Sequence, residues 1–165
     1  MPKMKVLFSL IALLYIGITS SLAQINCNHA GQGLPHPMVE LSTGKYYIDD
    51  KSFPTWNETR LFCENFGLEQ VTFDSVEEMQ VVWDATAGSQ RANYWTSGFY
   101  DEIQGIYTWS NGKPVPLEFF TAGEPNEAGG VERTAVVLKN ATLYDIRAEL
   151  FYHIICELPE KCYKP

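Results

Sequence analysis

The sequence predicts an α+β domain, on three observations. Two helical segments, each opened by a capping pattern, come first. Short β-rich segments broken by Gly, Pro and Asn fill the second half, and no internal repeat or low-complexity tract interrupts them.

In chain order, residues 24–43 carry Gly31, Gly33, Pro35 and Pro37 and read as an irregular arm. Residues 45–48 are β-rich and form the expected first strand. Thr55-Trp56-Asn57-Glu58 is a capping box, in which the threonine hydroxyl and the glutamate carboxylate satisfy free backbone donors. Trp56, Thr59, Cys63 and Phe66 recur at helical spacing, and Gly67 stops the helix. Ser75-Val76-Glu77-Glu78 opens a second helix with Met79, Val82, Trp83 and Thr86 on one face, ending at Gly88. From Arg91 onward the spacing predicts strands over 94–99 and 105–110, the latter closed by Asn111-Gly112. Pro114 and Pro116 keep the next segment irregular. Residues 134–138 and 142–146 read as a hairpin around 139–141, and 151–156 as the last strand.

Residues 1–23 stand apart from this pattern. Lys3 and Lys5 precede an apolar run over 6–18, and Ser21 and Ala23 are spaced like a signal-peptidase site, so the mature chain is expected to start at Gln24. A membrane span needs about 20 apolar residues, more than this run supplies; an uncleaved anchor is the alternative. The remainder suits one domain with a single core. Removing Lys3 and Lys5 from the twelve basic residues leaves ten against twenty acidic. That balance argues against nucleic acid and anionic membrane as partners, and no membrane insertion is expected. Four cysteines, Cys27, Cys63, Cys156 and Cys162, read as a disulfide framework of a secreted, extracellular protein, with three possible connectivities. The sequons at Asn57 and Asn140 point to the same compartment as candidate glycosylation sites.

Residues 44–159 resemble a C-type lectin-like domain. The likeness is carried by Gly44-Lys45-Tyr46-Tyr47-Ile48, the helix from Trp56 to Cys63, Tyr94-Trp95-Thr96-Ser97-Gly98 in a form associated with insect members, Trp109-Ser110-Asn111-Gly112, Gly123-Glu124-Pro125-Asn126 and Ile154-Ile155-Cys156-Glu157. The resemblance implies two helices with small antiparallel sheets and a long loop region, flanked by the arm 24–43 and a tail 160–165. It implies a disulfide Cys63–Cys156. A second family disulfide would need cysteines near Thr134 and Ala148, and both are absent together. Cys27 and Cys162 are left to pair within the chain or between chains, the family's adjacent first and last strands favouring the former. No heptad stalk precedes the domain, so the oligomeric state is open.

In such a lectin, Glu124, Asn126, Glu132 and Asp145 would coordinate one Ca²⁺, with two vicinal sugar hydroxyls completing the shell. Calcium takes six to eight hard oxygens, and each sugar hydroxyl donates to a carboxylate and accepts from an amide. Pro125 is cis in the family. The order Glu-Pro-Asn is the family's mannose, fucose and N-acetylglucosamine type. The departure is Leu143-Tyr144-Asp145, where the family has Trp-Asn-Asp. A neutral phenol at 144 supplies neither the oxygen nor the amide donor of the asparagine, so a weakened calcium site is expected, and Tyr144→Asn is expected to strengthen it. Phe120 and Leu143 replace family tryptophans as core residues. Arg133 stands where an auxiliary calcium site often has an acid, so no second calcium is expected. A glycan on Asn140 is expected near the sugar face.

Acidic residues in surface loops are ordinarily just solvated, and only their joint spacing within this resemblance singles these out. Trp56, Trp83, Trp95 and Trp109 read as core, and His153 as a strand residue; His29 and His36 lie in the arm. No Ser/His/Asp pattern, His-x-x-x-His or reactive thiol suggests an enzyme; Glu124 and Glu132 could mimic a glycosidase pair, but the calcium pattern accounts for them. The expected function is a secreted, calcium-assisted lectin whose partners are glycans or glycoproteins. The alternative is a calcium-independent protein-binding module of the same fold.

Overall fold

The computed structural model describes residues 27–86, 92–126 and 135–163; residues 1–26, which carry the expected leader, and the expected stop at Gly88 lie outside them. Nine strands and two α-helices are present among the described residues: β1 (Val39–Leu41), β2 (Gly44–Asp49), α1 (Trp56–Asn65), β3 (Glu69–Gln70), α2 (Val76–Ala85), β4 (Tyr94–Trp95), β5 (Phe99–Asp101), β6 (Ile106–Thr108), β7 (Ala135–Lys139), β8 (Thr142–Ile146) and β9 (His153–Glu157). One sheet runs β1-β2-β9-β4-β7-β8 with β3 paired to β9, while β5 and β6 form a separate ribbon. All its pairings are antiparallel except β4 with β9. This is the expected α+β architecture.

The period-two alternation of the strands divides the core between two faces. Tyr46, Ile48 and Ile155 point to a large cluster with Met79 and Val82 of α2, Trp109 and Leu143. Tyr47, Ile154 and Cys156 point the other way, to Cys63 of α1 and Leu68. The Cys63–Cys156 disulfide therefore staples α1 to the centre of the sheet. Cys27 pairs with Cys162 within the chain, tying the arm to a short 3₁₀ turn, Glu160–Cys162.

The α1 capping box forms in full: Thr55 Oγ1 accepts from the Glu58 N–H, and Glu58 accepts from the Thr55 N–H at 2.9 Å. The second box forms by half. Ser75 Oγ accepts from the Glu78 N–H at 3.1 Å, but the Glu78 carboxylate turns instead to the Asp74 N–H and the Tyr46 hydroxyl. A tertiary partner on β2 outcompetes the local one.

Other expectations need correction. The arm is not wholly irregular: Val39–Leu41 pairs with β2 as a hairpin, because β2 has a free edge to fill. Residues 94–99 are not one strand. The chain leaves the sheet after Trp95 and starts the β5–β6 ribbon at Phe99. At Gly98 between them, an added Cβ would lie 2.9 Å from Val136 Cβ and 3.1 Å from Trp109. The short β3 carries no alternation to announce it, the strand expected over 105–110 is confined to Ile106–Thr108, and the last strand is His153–Glu157.

Candidate functional site

Beneath the loop that follows the 3₁₀ turn Leu117–Phe119, the side chain of Tyr107 reaches from β6 toward β8. Alternation turns Tyr107 inward, against Phe120 at a centroid separation of 5.5 Å. Its hydroxyl donates to Asp145 Oδ2 at 2.9 Å. The other carboxylate oxygen, Oδ1, accepts from the Asn126 N–H at 3.1 Å, and Asp145 is only 2% exposed. Asn126 Nδ2 donates to Glu124 Oε1 at 2.7 Å, and the Glu124–Pro125 peptide between them is cis. The loop is held behind by Glu124 N–H to Thr121 O and Thr121 N–H to Leu143 O, at 3.0 and 3.1 Å. Three of the four expected donors, Glu124, Asn126 and Asp145, thus form one hydrogen-bonded cluster with Asn126 exposed on top. Glu132, with Arg133, lies outside the described residues.

Tyr144 sits elsewhere. In β8 Leu143 and Asp145 are buried on one face of the pleat, so Tyr144 projects from the opposite one. It packs against the buried Trp95 with Trp56, Ile146 and Tyr152, and Lys139 Nζ lies 5.3 Å from its ring centroid. The expectation that Tyr144 occupies a ligand position beside Asp145 is therefore corrected: the phenol fills a third apolar cluster. Phe120 and Leu143 are buried as expected and are joined by a β-bridge. Trp95 and Trp109 are buried, whereas Trp56 and Trp83 are half-buried at the edges of their clusters.

The sequence reading missed Tyr107 as a site residue. Its alternation marks it as inward-facing, but only the fold shows a carboxylate at the end of its ring. It also missed a cavity of about 340 Å³ bordered by Tyr46, Glu69, Asp74, Glu78, Lys113 and Glu157. There burial pushes the Glu157 carboxyl well above its usual range, although the Thr72 N–H donates to it, and burial raises Glu78 as well.

A family model for the lectin C-type domain matches residues 53–158. The chain belongs to the C-type lectin domain family. That family consists of non-enzymatic carbohydrate-binding modules, and its members bind glycans and glycoproteins. Human C-type lectin domain family 17 member A is 34% identical over 120 residues, covering 72% of this chain and 31% of that protein. The hemolymph lipopolysaccharide-binding protein of Periplaneta americana is 28% identical over 124 residues, covering 68% and 48%. The chain thus spans less than half the length of either relative. Among solved structures, the carbohydrate-recognition domain of the mouse scavenger receptor C-type lectin superposes with a TM-score of 0.64 at 22% identity, over 74% of this chain and 94% of that one. No helix among the described residues is long and apolar enough to cross a membrane.

C-type lectins generally bind Ca²⁺. Glu124, Asn126 and Asp145 are hard oxygen donors of the kind that calcium takes. They fit part of a calcium shell and would contribute oxygens to the ion. Two carboxylates and an amide fall short of six to eight oxygens. Among the described residues no group of three or more His, Cys, Asp or Glu side chains could hold a metal.

Proposed function

We propose that this protein is a secreted lectin that binds mannose- or fucose-type glycans through the loop 121–126, assisted by calcium held at a weakened site. The observation that carries this is the pairing of Glu124 with Asn126 on an exposed loop anchored to buried Asp145. It sets a carboxylate acceptor next to an amide donor, the two functions that neighbouring sugar hydroxyls require. Calcium bound to Glu124, Asn126, Glu132 and Asp145 would supply a positive centre for the hydroxyl oxygens. Secretion rests on the leader-like residues 1–23, the cysteine framework and the sequons at Asn57 and Asn140, which we propose as glycosylation sites.

The second reading, a calcium-independent protein-binding module, is favoured by one observation: both Asp145 oxygens already accept from protein donors in a buried setting. A glycan array probed with Ca²⁺ and again with chelator separates the two. The lectin reading expects mannose or fucose signals that vanish with chelator and that galactose competes for poorly. Recognition unchanged by chelator would support the module reading, and preference for galactose would overturn the specificity.

A further inference from the structure

Asp145 is where the candidate sugar loop meets the sheet, and protein donors reach both of its carboxylate oxygens. The Asn126 N–H donates to Oδ1 and the Tyr107 hydroxyl to Oδ2, in a residue that is almost wholly buried. A buried charge is costly unless it is hydrogen-bonded. The two donors are therefore coupled, because each lowers the cost of keeping the carboxylate where the other needs it.

Tyr107 is itself firmly placed. Its ring is buried against Tyr100 and Phe120, at centroid separations of 5.2 and 5.5 Å. Its backbone pairs with Tyr100 across the β5–β6 ribbon, and its carbonyl accepts from the Val115 N–H at 2.9 Å. The ribbon thus presents the hydroxyl to β8 of the larger sheet. On the far side of the carboxylate, the Asn126 side chain donates to Glu124 Oε1 across the cis Glu124–Pro125 peptide. Four groups are linked in a row, Tyr107 to Asp145 to Asn126 to Glu124, from the buried ribbon out to the exposed loop.

A cation and a hydroxyl proton can meet the same need of the Asp145 carboxylate. Calcium would do so by taking its oxygens, whereas Tyr107 does so with a donated hydrogen bond. We infer that Tyr107 stands in for part of the ion. It is a positioning residue that holds Asp145, and through it Asn126 and Glu124, in place without calcium. The inference rests on the reading of Asp145 as a calcium donor in a lectin.

The test is hydrogen exchange of the Asn126 amide, read by NMR in the full mature chain. In calcium-free buffer the parent amide is expected to be protected already, and excess Ca²⁺ should change its rate little. Tyr107→Phe keeps the ring and removes only the hydroxyl. Its Asn126 amide should exchange about tenfold faster, matching the loss of one hydrogen bond to a charged group. Excess Ca²⁺ should return it to the parent rate, a rescue that a merely structural role would not give. Tyr46→Phe removes a like phenol hydroxyl from Glu78 and should leave the Asn126 rate unchanged. Circular dichroism confirms that each variant is folded. An Asn126 amide that is unprotected in the calcium-free parent overturns the inference, whatever the variants do. So does a Tyr107→Phe rate equal to the parent's, or a faster rate that calcium does not restore. Calorimetric titration with Ca²⁺ separates the failures. Calcium binding without rescue overturns the stand-in and leaves the calcium-assisted lectin reading, whereas no binding by parent or variant overturns both.

Discussion

Residue 144 illustrates how one position can be identified in sequence and misassigned in space. The motif around it makes Tyr144 a failed calcium ligand, but the pleat of β8 turns its ring away from Asp145 and into the Trp95 cluster. Tyr144→Asn should therefore act first on packing. Truncating a half-buried ring and placing an amide there is expected to cost about 1–3 kcal/mol and lower Tm by several degrees, with no gain in calcium affinity. Thermal melts paired with calcium titration measure both effects. A rise in calcium affinity without loss of Tm would show that residue 144 faces the ion after all.

At the scale of elements, β9 ends in a half-buried carboxyl whose desolvation carries a cost. Glu157 pairs with Tyr46 across β2, and its raised carboxyl faces the cavity with Glu78, Glu69 and Asp74 nearby. A carboxyl raised in the folded state favours folding when protonated, so its contribution is complete below the ordinary glutamate value of 4.5 and is lost as pH rises through the folded value. Glu157→Gln keeps an oxygen to accept from the Thr72 N–H and removes the charge. In calcium-free buffer the variant and the parent should be about equally stable near pH 4. The variant should gain, on the order of 1 kcal/mol, as pH rises to neutrality. Denaturant unfolding across that range reads the difference directly, and a parent that overtakes the variant at neutral pH would refute the assignment of burial as the dominant cause.

For the whole molecule, the β7–β8 hairpin separates the Asn140 sequon from the candidate sugar loop. Asn140 and Ala141 have positive φ, at 50° and 55°, and Asn140 is exposed at the turn. Asp145 lies five residues further along the strand, about 16 Å at 3.3 Å per residue. The expectation that a glycan there crowds the sugar face is therefore revised: it would project from the far end of the hairpin. Intact mass before and after enzymatic deglycosylation should show glycan at Asn140 and a mature chain beginning at Gln24. Retention on mannose resin should not change when the glycan is removed. Loss or gain of retention on deglycosylation would place the glycan beside the site.

Much of this protein is legible in its sequence because the signals are local. The Thr55 capping box, the apolar spacing of α1 and α2, and the hairpin of β7 and β8 each depend on residues within a turn or two of one another, so chain order suffices to find them. The Glu124-Pro125-Asn126 loop is legible for the same reason. What only the tertiary structure decided involves partners far apart in the chain. Asp145 meets Tyr107 across 38 residues, Glu78 abandons its cap for Tyr46 across 32, and the break at Gly98 answers to the bulk of Val136 and Trp109. Local propensity chooses the elements, whereas burial and hydrogen-bond competition between distant residues choose where side chains point, and the direction of side chains makes the site.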